Sequence, residues 1–131
     1  KDGSSWTPYN YASGATADYN DATATSLVAW YSVNAGSTTK TVGTKSANAL
    51  GIYDMSGNAY EWCHDWKDDI LPTTAQTDYR GPVGPASGSD RNMRGGAYSV
   101  LAVNQQVGAR SARPPYNESG ASCGFRLASR Q

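Results

Sequence analysis

The chain has 131 residues, enough for one domain, and its 11 basic and 11 acidic side chains cancel. That balance excludes the overall cationic field by which proteins bind nucleic acid or anionic membranes, so no nucleic-acid partner is expected. Aliphatic content is low (five Leu, two Ile, seven Val and one Phe), but nine Tyr and four Trp offer large buriable area, and the absence of net charge argues against disorder.

In chain order, residues 1 to 25 are rich in Gly, Ser, Thr, Ala, Asn and Asp. Such short polar side chains compete for backbone hydrogen bonds and predict extended loop. Leu27 to Tyr31 forms the first apolar cluster, too short for an independent helix, and reads as a buried turn or strand. A turn at Ser56-Gly57-Asn58 leads into a strand at Ala59 to Cys63. Alternation along it would send Tyr60, Trp62 and His64 to one face, with Glu61 and Cys63 on the other. From Asp65 to Asp90 the chain is polar and broken by Pro72, Pro82 and Pro85, as in functional loops. Asn92 to Arg94 reads as a strand ending at a Gly95-Gly96 kink, and Gly124 to Leu127 as a closing strand. These elements predict an α+β, loop-rich fold on an aromatic core, with a small antiparallel sheet and little helix. Cys63 and Cys123 permit one disulfide without demanding it. No apolar run reaches membrane-spanning length and no leader pattern opens the chain, so membrane association is expected only through an anchor outside it.

Three ordered blocks carry a family likeness: Asn48 to Asn58 continuing into Glu61-Trp62-Cys63, then Arg94-Gly95-Gly96, then Gly124-Phe125-Arg126-Leu127. Ala29-Trp30-Tyr31-Ser32, Val42 to Lys45 and Gly81-Pro82 extend it from about Ala29 to Ser129. The series resembles the formylglycine-generating-enzyme family, the sulfatase-modifying-factor type of C-type-lectin-like domain. Such proteins carry strands and two helices ahead of the position of Trp30. The resemblance therefore implies a single domain over residues 1–131 that lacks its N-terminal part.

Catalytic members of that family place a cysteine a few residues after Arg-Gly-Gly and a second five positions on, one engaging the substrate thiol and the other working with copper. Here Ala97 to Asn104 contains no sulfur. Soft Cu(I) needs thiolate, so neither copper nor oxidative formylglycine formation is expected. The family's D/N-x-x-G-x-A-x-E calcium pattern does survive, at Asp54, Gly57, Ala59 and Glu61. Carboxylates at the ends of a turn with carbonyls between them suit a hard cation. The same residues also fit a plain structural reading, with Asp54 organising its turn and Glu61 paired to Arg94 or Arg126. Cys63-His64-Asp65 holds the only histidine and looks like a relay, but neighbouring strand residues face opposite ways. Asp65, Asp68 and Asp69 surround Lys67 and read as a solvated turn.

Residues Tyr98 to Ser122 are the remaining candidate site. On a lectin-like fold, Tyr98, Ser99, Val100, Leu101, Val103, Asn104, Arg113, Pro115, Tyr116, Asn117, Ser119 and Ser122 would face solvent as a ligand-binding surface. Alternatively Val100, Leu101 and Val107 are core. The arrangement resembles a subset of the family, spirochaete surface lipoproteins whose C-terminal codons are diversified by retroelements. The resulting expectation is a non-catalytic binding protein at the bacterial cell surface or outside the cell, taking an external ligand, more readily protein than sugar. A formylglycine-generating-type oxidase and a fixed accessory domain of a surface complex are the alternatives.

Overall fold

The computed structural model describes residues 7–68, 73–74, 77, 81–82, 84, 90–117 and 122–127. One short helix, α1 (Ala22–Val28), precedes four strands: β1 (Tyr60–Trp66), β2 (Arg91–Arg94), β3 (Ser111–Arg113) and β4 (Cys123–Gly124). Short 3-10 turns occupy Ala102–Gln105 and Pro115–Asn117.

The helix corrects the expectation of loop before Thr25 and of a turn or strand at Leu27 to Tyr31. Asp21 supplies the reason, because its Oδ1 accepts the Ala24 amide at 2.9 Å and caps the first turn. The aspartate that would compete with a helix from inside stabilises one from its end. Ala24, Thr25 and Val28 face inward, and the helix stops where Ala29 turns extended.

The described strands form one sheet in the order β3-β2-β1-β4. β1 with β2 and β2 with β3 are antiparallel, but β4 runs parallel to β1, so the sheet is mixed, not antiparallel as the sequence suggested. The closing strand is also shorter than the Gly124 to Leu127 expectation, and Phe125 and Leu127 lie exposed beyond it. In β1 the register shifts between Trp62, opposite Met93, and Trp66, opposite Arg91. That bulge breaks the simple alternation, and His64 lies exposed.

The core is not the expected aromatic one. Ala12, Val28, Ala29 and Tyr31 form its buried cluster, with Ala15 and Ala102 packed against it. Among the described residues Tyr31 is the largest fully buried side chain, whereas Tyr9, Tyr53 and Tyr116 are exposed. Buried polar groups complete the interior. The Asn58 amide accepts the Lys40 N–H at 2.8 Å and donates to the Lys40 carbonyl at 3.0 Å, imitating a strand pair. Its backbone meanwhile bonds the Trp30 carbonyl and the Tyr98 amide. Beside it Gly57 has φ +83°, and a Cβ there would stand 2.6 Å from the Trp30 nitrogen, so only glycine fits.

Candidate functional site

The candidate ligand segment begins where β2 ends. Gly96, at φ +72°, brings the chain against the Gln105 side chain, where a Cβ would meet Oε1 at 2.5 Å. Gln105 is fully buried. Its Nε2 donates to the Ala97 carbonyl at 3.2 Å and the Leu101 carbonyl at 3.4 Å, and its own carbonyl accepts the Ser56 hydroxyl at 2.7 Å. The loop is thus tied from beneath through peptide groups. From the sides, the Ser32 amide donates to Val100 O and the Tyr98 amide to Asn58 O. Val107 N and Gly108 N donate to the carbonyls of Tyr11 and Tyr9. Arg94 closes the far end, its Nη1 donating to Ala109 O at 2.7 Å and Val107 O at 3.3 Å. This is the carbonyl-holding role open to an arginine in that strand, performed at the surface.

Outward-facing positions are left over. Leu101 is 64% exposed, Val103 41% and Tyr116 74%. Ser99, Arg113 and Pro115 are exposed as well, while Tyr98, Val100, Asn104 and Ser122 are half-buried. Ser122 belongs to the scaffold through its carbonyl, which accepts the Tyr60 amide at 2.7 Å. Asn117 ends the second 3-10 turn, and Ser119 lies outside the described residues. The candidates fall into two groups, Tyr98 to Asn104 before β3 and Arg113 to Asn117 at its end. Gln105 and Asn58, which hold the first group, were missed from sequence, since a polar residue in a polar loop gives no sign that it will be buried.

Asp54, Gly57, Ala59 and Glu61 do converge, lining one cleft of about 500 Å³ together with Val42, Ile52, Tyr53 and Arg126. Arg126 closes its floor. Nε reaches both Glu61 oxygens at 3.0 Å, and Nη2 reaches Oε1 at 2.6 Å and the carbonyls of Tyr53 and Asp54 at 3.1 Å. The Glu61 hydrogen bond chiefly raises the Arg126 pKa, so the clamp stays charged. Of the two partners open to Glu61, the structure selects Arg126. A hard cation fits this cleft in part. Asp54 Oδ2 accepts the Gly43 amide, but Oδ1 is buried with no hydrogen-bond partner. Glu61, by contrast, is already held by the guanidinium. Among the described residues no three His, Cys, Asp or Glu side chains gather as a metal cluster.

Cys63 and Cys123 are not joined in a disulfide. Cys123 lies opposite Tyr60 in register, three positions along β1 from Cys63. Burial, then Asp65 and Glu61, push the Cys63 thiol above its ordinary range against the pull of Arg94. A thiol so placed is a poor nucleophile. Asp65 is engaged elsewhere, accepting Asn92 Nδ2 at 2.7 Å. Burial likewise raises the Tyr60 phenol, opposed by Arg113 and by its hydrogen bond to Ser111.

A small sheet carrying long, internally tied loops is the C-type-lectin-like arrangement of formylglycine-generating enzymes. The chain belongs to the sulfatase-modifying factor enzyme 1-like domain family, whose pattern matches residues 3–131. Among solved structures, Treponema denticola variable protein 1 superposes with a TM-score of 0.71 and 39% identity over 81% of this chain and 37% of that one. The formylglycine-generating enzyme of Streptomyces coelicolor is 38% identical over 85 residues, 62% of this chain and 26% of the enzyme. The serine/threonine-protein kinase pkn1 of Chlamydia caviae is 40% identical over 83 residues, 63% of this chain and 13% of the kinase. The chain spans well under half the length of each.

Proposed function

We propose that this chain is a non-catalytic binding protein of the bacterial surface that presents a replaceable set of side chains between Tyr98 and Ser122 to an external protein ligand. One observation carries the reading. The loop from Ala97 to Ala109 is held through its peptide groups and the buried Gln105 amide, while Leu101 and Val103 project outward. Side chains that bear none of the loop's support can be exchanged without loss of the fold. The likeness to a treponemal variable protein supports the same reading.

Oxidase chemistry is disfavoured by the residues themselves, since Ala97 to Asn104, directly after Arg94-Gly95-Gly96, hold no cysteine and Cys63 is a weak nucleophile. A copper-supplemented assay on a cysteine-containing sulfatase peptide should give no formylglycine. The decisive test is sequencing the gene across isolates and in a long-passaged culture. Substitutions confined to codons 98 to 122, with Arg94-Gly95-Gly96 and Gly124-Phe125-Arg126 constant, are expected. A uniform segment would remove the diversified reading and favour a fixed accessory domain.

Calcium belongs to the same proposal as a structural ion, held by Asp54 and the turn carbonyls with Glu61 shared with Arg126. Millimolar calcium should then raise the melting temperature of the wild type but not of Asp54→Asn. An equal rise in both would remove the site.

A further inference from the structure

Three stretches of sequence meet beside the loop that Gln105 holds: residues 7–17, 31–39 and 97–109. None of them contains a charged side chain, so the chain's 11 basic and 11 acidic residues all belong elsewhere. Main-chain bonds bring the three together. The Ser32 amide donates to Val100 O, the Val107 amide to Tyr11 O and the Gly108 amide to Tyr9 O, while Ala12 pairs with Gln106. Val33 therefore follows a residue bonded to the neighbour of Leu101, and Tyr9 is bonded to the neighbour of Val107. Tyr9 is 77% exposed, Val33 72% and Val107 37%, adding three apolar groups to Leu101 and Val103. Exposed apolar groups gathered in this way mark a contact surface, and charge is depleted at the centre of protein interfaces.

The polar side chains of these stretches narrow the choice of partner. Asn34 accepts the Tyr31 amide at 2.9 Å and donates to Ala29 O at 3.0 Å, and Gln106 donates to Val103 O at 2.6 Å. Amide donors spent on their own backbone do not bind the hydroxyls of a sugar. They fix the turns carrying Val33 and Val103 before a ligand arrives, which lowers the ordering cost of contact. Nor do the three stretches supply the Lys and Arg by which peripheral proteins hold an anionic membrane.

We propose that the ligand face extends beyond residues 98–122 onto Tyr9 and Val33, and takes an uncharged, apolar segment of a partner protein. Tyr9 and Val33 lie outside the replaceable stretch and act as constant anchors, while Leu101 and Val103 beside them set which segment is accepted. The inference rests on the ligand-binding reading above and gives that face its partner chemistry.

The test titrates the full 131-residue chain with a library of short capped peptides made of leucine, tyrosine, valine, serine and asparagine. Matched libraries carry glutamate or lysine in place of asparagine. Members of the uncharged library should bind, with affinity changing less than about twofold between about 0.05 and 0.5 M sodium chloride. Val33→Asp and Leu101→Asp, each at unchanged melting temperature, should weaken the tightest member about tenfold, and Val33→Ile should retain it. Preference for a charged library, loss of affinity in salt, full binding by Val33→Asp or no binding by any library would overturn the proposal. Attachment to phosphatidylcholine vesicles in place of peptide, or a dimer of the chain that Leu101→Asp dissolves, would do the same. Codon variation at 98 to 122 alongside any of those failures would retain the ligand-binding reading and remove only this extension.

Discussion

Gln105 does more for the candidate site than any residue exposed on it. It is fully buried and spends its amide nitrogen on two carbonyls of the loop it ends. Gln105→Ala removes both bonds and leaves a void under Gly96, which should cost about 2–4 kcal/mol in urea unfolding. Hydrogen exchange at residues 98 to 104 should quicken with it. Leu101→Ser or Val103→Ser, by contrast, should change stability by about 0.5 kcal/mol or less. A large loss at either position would show that these side chains are core after all. Cys63 and Tyr60 offer a second check at this scale. Both pKa values are raised mainly by burial. In the unfolded chain each proton leaves at the lower, ordinary value, so stability is unaffected below that range and falls as pH climbs past the ordinary thiol and phenol values of 9.0 and 10.0. Cys63→Ala should flatten the earlier part of that fall, and iodoacetamide should label Cys63 more slowly than a free thiol at the same pH.

Among the elements, α1 and the turn at Gly57-Asn58 depend on single side chains. The Asp21 cap satisfies the Ala24 amide of a seven-residue helix that has little intrinsic stability. Asp21→Ala should cost about 1 kcal/mol, read as a lower denaturation midpoint. Asn58→Ala leaves the half-buried Lys40 amide and carbonyl without their partner and should cost about 2–3 kcal/mol. The strands were more legible than the helix. Tyr60–Trp66 declares itself by its aromatic residues after the Gly57 turn and Arg91–Arg94 by the Gly95-Gly96 pair that ends it, whereas α1 was hidden by the polar residues around it. The signal that could have revealed it is Asp21 directly ahead of the run Ala22-Thr23-Ala24.

Across the whole molecule, one arginine ties the C-terminal strand to the middle of the chain. Arg126 bridges Glu61 on β1 to the carbonyls of Tyr53 and Asp54, more than 60 residues away in sequence. Its side chain is about a third exposed, so screening reduces the contribution. Arg126→Lys keeps the charge but cannot reach four oxygens at once, and should cost about 1–2 kcal/mol in thermal unfolding. Full recovery by lysine would show that charge alone suffices.

By itself the sequence determined the family, the turn at Gly57, the strands at both diagnostic blocks and the missing thiols. Each of these follows from local chemistry: a backbone angle only glycine adopts, a motif at fixed spacing, or a side chain that is simply not there. Tertiary structure alone decided that β4 runs parallel, that Glu61 takes Arg126 and not Arg94, and that alanines and buried amides fill the core while Tyr9, Tyr53 and Tyr116 stay outside. It also decided that Leu101 and Val103 face solvent, because Gln105, Asn58 and Arg94 hold the loop by its peptide groups from positions that no local pattern connects.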